Sequence, residues 1–172
     1  MADPLRWKPN VTVAVVLEHA GRYLLVEEET PHGRQFNQPA GHLDPDESLL
    51  AAAAREAREE TWCEVRPTAL VGIYQWSPPT DPTLDYLRFA YAADLLTPAT
   101  PVDTVSTAFA QEFPTLPARP LDQGIVRAVW LSYDEVLACR DRHRSPLVLQ
   151  CIDDLRAGRR FPLELVRHYP KG

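Results

Sequence analysis

The stretch Gly41-His42-Leu43-Asp44-Pro45-Asp46-Glu47-Ser48-Leu49-Leu50-Ala51-Ala52-Ala53-Ala54-Arg55-Glu56-Ala57-Arg58-Glu59-Glu60-Thr61 decides how the remaining chain is read. From Leu49 to Ala57 it holds strong helix formers and no β-branched residue, which predicts a helix running to about Thr61. Asp44-Pro45-Asp46-Glu47 predicts its start: Asp44 as N-cap, Pro45 at the first helical position and Glu47 closing a capping box. At about 100° per residue, Leu49, Leu50, Ala53 and Ala57 form an apolar stripe, and Glu56, Glu59 and Glu60 form an acidic stripe on its border. These glutamates are i, i+3 and i, i+4 neighbours, so like charges crowd one patch at a cost in stability.

An acidic helix face is ordinarily solvated surface. Here the patch borders the buried stripe, and it follows Pro39-Ala40-Gly41, expected as a tight turn whose carbonyls aim at the same place. Hard divalent cations such as Mg²⁺ take oxygen ligands of this kind. A cation so held bridges phosphate oxygens and acidifies an attacking water. The cluster therefore suits hydrolysis of a phosphate ester or anhydride.

Outside this segment the chain alternates β-rich and helical signals. Strands are expected at 11–17 and 23–28, joined through His19-Ala20-Gly21 as a hairpin, then at 69–76, 86–95 and 126–131. Ser132-Tyr133-Asp134-Glu135 writes a capping box for a short helix to about Cys139, and a last helix fits 146–157 with Gly158 as its stop. Residues 97–121 carry prolines at 98, 101, 114, 117 and 120 and no period, so they are expected as a long loop in a single domain spanning 1–172.

Composition narrows the function classes. The 172 residues carry a net charge of −6 without a dense basic block, which argues against a nucleic-acid polymer as partner. Small phosphorylated substrates stay open, because a cation neutralises them locally. Cys63, Cys139 and Cys151 are odd in number and widely spaced, favouring neither a disulfide framework nor a zinc site. No apolar run approaches the ~20 residues of a membrane span, so a cytoplasmic protein, monomer or homodimer, is expected.

Gly41, five residues, Glu47, seven residues, then Arg55-Glu56-Ala57-Arg58-Glu59-Glu60 resembles the Nudix box, G-x5-E-x7-R-E-U-x-E-E-x-G-U. Every spacing holds without a gap, which makes the resemblance specific. Trp62 stands where the box has glycine, and Cys63 fills the last hydrophobic place. A tryptophan in the left-handed conformation costs roughly 1–2 kcal/mol, so a differently shaped helix exit is expected.

The resemblance implies an α/β (α+β) fold, an α/β/α sandwich with a mixed sheet carrying the box as loop-helix-loop. It implies Mg²⁺, with Mn²⁺ as substitute, held by Glu56, Glu59, Glu60 and a backbone carbonyl near Ala40 or Gly41. Those three glutamates carry the catalysis, while Glu47 and Arg55 pair to brace the loop. Further segments, among them 8–13, 37–43, 87–89, 144–148 and 160–164, resemble the NudJ subgroup of bacterial phosphatases. Members of that subgroup remove phosphate from nucleoside di- and triphosphates and act on hydroxymethylpyrimidine pyrophosphate and thiamine pyrophosphate. Alternatives within the family are ADP-ribose or dinucleoside polyphosphate hydrolysis. A more remote one is a non-catalytic nucleotide-binding domain, against which the intact set of box glutamates argues.

Many family members add an acidic residue on the loop before a tryptophan-bearing strand. Trp130 marks that strand, Gly124 takes the usual place, and Asp122 is the nearest carboxylate, with Glu112 further back. Gln38 and His42 flank the Pro-Ala-Gly segment and are further substrate-binding candidates. Trp76 and Tyr74 offer rings for stacking, although aromatics at alternating strand positions are more often core. Arg88, on an otherwise apolar strand, suits phosphate because guanidinium binds its oxygens in a fork, the ordinary alternative being a cross-strand salt bridge.

Overall fold

The computed structural model describes residues 7–96 and 121–171. Strands β1 (Asn10–Val16), β2 (Glu18–His19), β3 (Arg22–Thr30), β4 (Gly33–Asn37) and β5 (Ala40–His42) precede helix α1 (Leu49–Thr61). Then follow β6 (Val65–Trp76), β7 (Tyr86–Leu95), β8 (Ile125–Ser132), α2 (Tyr133–Ala138) and α3 (Leu147–Arg156), with short 3₁₀ turns at Arg140–Arg142 and Leu163–Leu165. All but one residue of the expected 97–121 loop, Glu112 included, lies outside the described residues. No described helix is long and apolar enough to cross a membrane.

Two sheets form. The first is mixed, in the order β5-β1-β7-β6, with β1 and β7 parallel and the other pairs antiparallel. The second joins β2, β3 and β4, and β8 pairs with β3. Val13 to Leu17 and Leu24 to Val26 are buried without alternation. Such runs belong to strands covered on both faces. One core packs Val13, Val15, Leu24, Val26 and Trp130 against Ala52, Ala53 and Ala57 of α1. The other packs Ala14, Val16, Leu25 and Val129 against Val148, Cys151, Ile152 and Leu155 of α3. The mixed sheet thus lies between helices, as the box resemblance implied.

Three local expectations are corrected. Helix α1 starts four residues later than the Asp44 cap: Ser48 is the N-cap and its side chain accepts from the Ala51 amide. Asp46 sits at φ 65°, which stops the helix short, and the Glu47 carboxylate still accepts from the Asp44 amide (3.4 Å) but takes two shorter bonds from Arg55. Pro39-Ala40-Gly41 is no tight turn. The Pro39 carbonyl accepts from the Val15 amide and β5 pairs with β1, so Gly41 lies opposite Val13 in a sheet. Trp62 does adopt the left-handed conformation, φ 60° and ψ 12°, with its amide donating to the Arg58 carbonyl. The cap hydrogen bond offsets the intrinsic penalty, and the side chain is half-exposed.

The second sheet is pinned beside the site by a buried charge. Glu27 is 2% exposed, and Arg127 (2.6 Å) and Arg142 both donate to its carboxylate. Burial alone would raise its pKa, but the hydrogen bonds and charges of the two arginines hold it below the ordinary 4.5. A depressed folded pKa means the stabilisation is complete above the unfolded value and is lost as pH falls through the folded one. Glu27→Gln is therefore predicted to cost about 2 kcal/mol, less than for a wholly buried pair because the arginines reach water. Urea unfolding at pH 7 checks this, and the difference from the parent chain should shrink below about pH 4.

Candidate active site

Helix α1 presents its acidic residues at unequal depth. Glu56 and Glu60 are each 6% exposed, whereas Glu59 is exposed. Burial of a carboxylate in the field of others favours its neutral form. Burial is the main cause of the raised pKa of Glu56, with Glu59 and Asp122 adding and Arg55 opposing. Burial likewise pushes Glu60 up to about 9, against a hydrogen bond from the Ala40 amide (2.9 Å) and with help from Glu28, Glu56 and Asp122.

Arg55 organises the loop before the helix. Its Nε and Nη2 donate to the two oxygens of Glu47 (2.9 and 3.0 Å), and Nη2 also donates to the His42 carbonyl (3.1 Å). Its Nη1 donates to Glu56 (2.7 Å) and Glu59 (3.0 Å). One guanidinium therefore ties residues 42–47 to the acidic ridge. The Glu47 carboxyl is held below the usual range mainly by its Arg55 hydrogen bond.

Gly41 meets the ridge at its closest point. A Cβ on it would overlap the Glu56 carboxylate. As the side chains stand, no three of the described His, Cys, Asp and Glu residues converge as a metal cage, and Arg55 occupies the side of Glu56 and Glu59. The donor set nevertheless fits a hard divalent cation: two buried carboxylates, a third at the rim, and a strand without a side chain against one of them. A bound cation would also offset the repulsion that raises these pKa values.

A groove of about 830 Å³ opens beside the ridge, lined by Glu60, Gly41 and Ala40 at one end and by Arg88, Tyr86 and Trp76 elsewhere. Among the other candidates, His42 lines this groove with its ring tilted on Tyr86. Gln38 is fully buried behind it, donating to the Val148 carbonyl (2.6 Å) and accepting from Arg88 (3.5 Å). Asp122 is exposed, and its amide donates to the Glu59 carbonyl (3.2 Å), which places its carboxylate in the field of the ridge. Gly124 turns at φ 89° and supplies no side chain. Both expected aromatics pack against the α3-side core: Tyr74 donates to Asp154 (2.8 Å), while Trp76 also lines the groove and stacks on Tyr86.

Sequence reasoning missed Tyr86, Thr12 and Glu28. Thr12 becomes a neighbour of Arg88 only through the parallel β1–β7 pairing, and Tyr86 a neighbour of Trp76 only through the antiparallel β6–β7 pairing. Glu28 was legible as the second of three consecutive glutamates on a strand, where alternation sends neighbours to opposite faces.

The NUDIX domain matches residues 7–150, and the chain belongs to the Nudix family of hydrolases. The NudJ phosphatase of Escherichia coli (strain K12) is 39% identical over 160 residues, covering 93% of this chain and 92% of that protein. The NudJ phosphatase of Shigella flexneri gives the same figures: 39% identity over 160 residues, 93% and 92% coverage. A Nudix hydrolase structure from Nitrosomonas europaea superposes with a TM-score of 0.79 at 44% identity, covering 94% of this chain and 98% of that one.

Proposed function

We propose that the protein is a Mg²⁺-dependent hydrolase of free terminal diphosphates. Its substrates on this reading are nucleoside di- and triphosphates, or thiamine-pathway pyrophosphates such as hydroxymethylpyrimidine pyrophosphate and thiamine pyrophosphate, with release of inorganic phosphate. Likeness to the NudJ phosphatases supports the phosphatase reading. The observation that carries it is the pair of buried glutamates, Glu60 lining the groove and Glu56 against Gly41 of β5.

Glu59 and Glu60 would hold the metal, with Glu56 shared between it and the attacking water and the Gly41 strand adding a backbone oxygen. When bound, a divalent ion there would supply charge neutralisation for the phosphates and acidify the attacking water. The chain's own residues do the rest. Arg55 and Glu47 fix the ridge against its loop, and a ridge carboxylate accepts the water proton. The water oxygen bonds to the outer phosphorus as the bridging P–O bond breaks, and the bridging oxygen stays with the inner phosphate. Asp122, beside the ridge on its own loop, is a further proton acceptor.

A product assay tests this on ADP, thiamine pyrophosphate, ADP-ribose and a dinucleoside polyphosphate with Mg²⁺. Inorganic phosphate from the first two is the expected result. Paired nucleoside phosphates from the capped substrates alone would replace it with the pyrophosphatase alternative. No product from any would leave a nucleotide-binding domain.

A further inference from the structure

The groove floor is a grid set by strand register. His42, Thr12 and Arg88 lie side by side across β5, β1 and β7. One step toward the acidic ridge is Ala40, whose amide binds Glu60. One step the other way is Tyr86, paired with Trp76 on β6. The Trp76 and Tyr86 rings are stacked, 6.0 Å between centroids and 27° between planes. Successive same-face positions on a strand are about 6–7 Å apart, close to the spacing of a ring and the two phosphates of an ester.

Arg88 is 9% exposed, and its hydrogen bonds among the described residues go to the neutral side-chain oxygens of Asn37 (3.4 Å) and Gln38 (3.5 Å). Gln38 is anchored by the Val148 carbonyl, so it holds the guanidinium in place without neutralising it. The Thr12 hydroxyl beside it is buried and has no hydrogen-bond partner among the described residues. Glu28, bonded to Asn37, and Glu60 act on the guanidinium through space, but neither is ion-paired with it among the described residues, so its charge is only partly offset. This floor is built for an anion that arrives with the substrate.

Resting on the proposed hydrolysis, we infer that this grid orients the substrate. A heteroaromatic ring packs on Trp76 and Tyr86, the phosphate joined to it pairs with Arg88, and the outer phosphate reaches the ridge. Arg88 is thus the residue that places the scissile bond, and the aromatic pair selects ring-bearing diphosphates over plain ones.

The test compares thiamine pyrophosphate and ADP with methyl diphosphate, which lacks a ring, in Mg²⁺. Trp76→Leu is expected to lower the ratio of kcat/KM on the ring-bearing substrates to that on methyl diphosphate about tenfold. Arg88→Gln is expected to lower kcat/KM on all three about 10²-fold. Tyr74→Phe, on the same strand face but removing only a hydroxyl bonded to Asp154 of α3, should leave the ratio alone. In H₂¹⁸O the label should enter inorganic phosphate. An unchanged ratio in Trp76→Leu, an Arg88→Gln enzyme as active as the parent, or label in the ring-bearing monophosphate would each overturn this orientation while leaving the hydrolysis standing. No phosphate from the parent protein on any of the three would instead overturn the hydrolytic reading beneath it.

Discussion

Glu60→Gln is expected to lower turnover on a diphosphate substrate about 10²-fold or more without loss of fold. The carboxylate is almost wholly enclosed, lines the groove and accepts from the Ala40 amide. An amide oxygen can keep that hydrogen bond, so the local structure survives. The charge, which alone gives the side chain value as a ligand for a cation, is lost. A preorganised electrostatic element of this sort is worth 10²–10³-fold. Because burial and three carboxylate neighbours already disfavour the charged form, the variant should unfold at the same temperature as the parent or higher. Glu59→Gln should show the same kinetic loss. Turnover within a few-fold of the parent would sink the assignment of these residues, provided circular dichroism shows native structure.

Gly41→Ala is the second large effect, and its cause differs. The added methyl would occupy space held by the Glu56 carboxylate. That carboxylate is the far end of a flexible side chain, so it moves aside cheaply and stability changes little. Its displacement matters for chemistry, since misplacing a catalytic group by about 1 Å costs on the order of 10²-fold. Turnover is expected to drop by that amount with the melting temperature held within a few degrees. The same substitution at exposed Gly33, where a Cβ meets nothing, should leave turnover at parental levels, with a modest stability cost from its positive φ of 92°.

The contrast between Glu56 and Glu59 shows how far the amino-acid order reaches. Helical spacing put both on one acidic stripe. Only the approach of β5 and the alanine face of α1 made Glu56 and Glu60 buried and left Glu59 at the rim. Small side chains at Ala52, Ala53 and Ala57 allow the helix to lie close to the sheet, and that closeness desolvates the ridge.

Local signals failed where two compete. Asp44-Pro45-Asp46-Glu47 carries every mark of a helix start, yet Arg55 reaches back and captures Glu47 with two hydrogen bonds. The cap then passes to Ser48. Trp62 failed in the opposite sense, because a cap hydrogen bond to Arg58 outweighed a backbone preference worth only about 1–2 kcal/mol.

The order of residues by itself determined the family, the acidic helix, the bracing pair Glu47 and Arg55, and most strands, because these depend on spacings within a few turns or on hydrophobic period. Tertiary structure alone decided that Arg88 is buried with hydrogen bonds to neutral oxygens, that Tyr74 bonds Asp154 on α3 while Trp76 lines the groove, and that Thr12 and Tyr86 join them. Those facts follow from which strands pair and in what register, and a chain's local preferences do not encode contacts between segments 75 residues apart, as between Asn10 and Asp85.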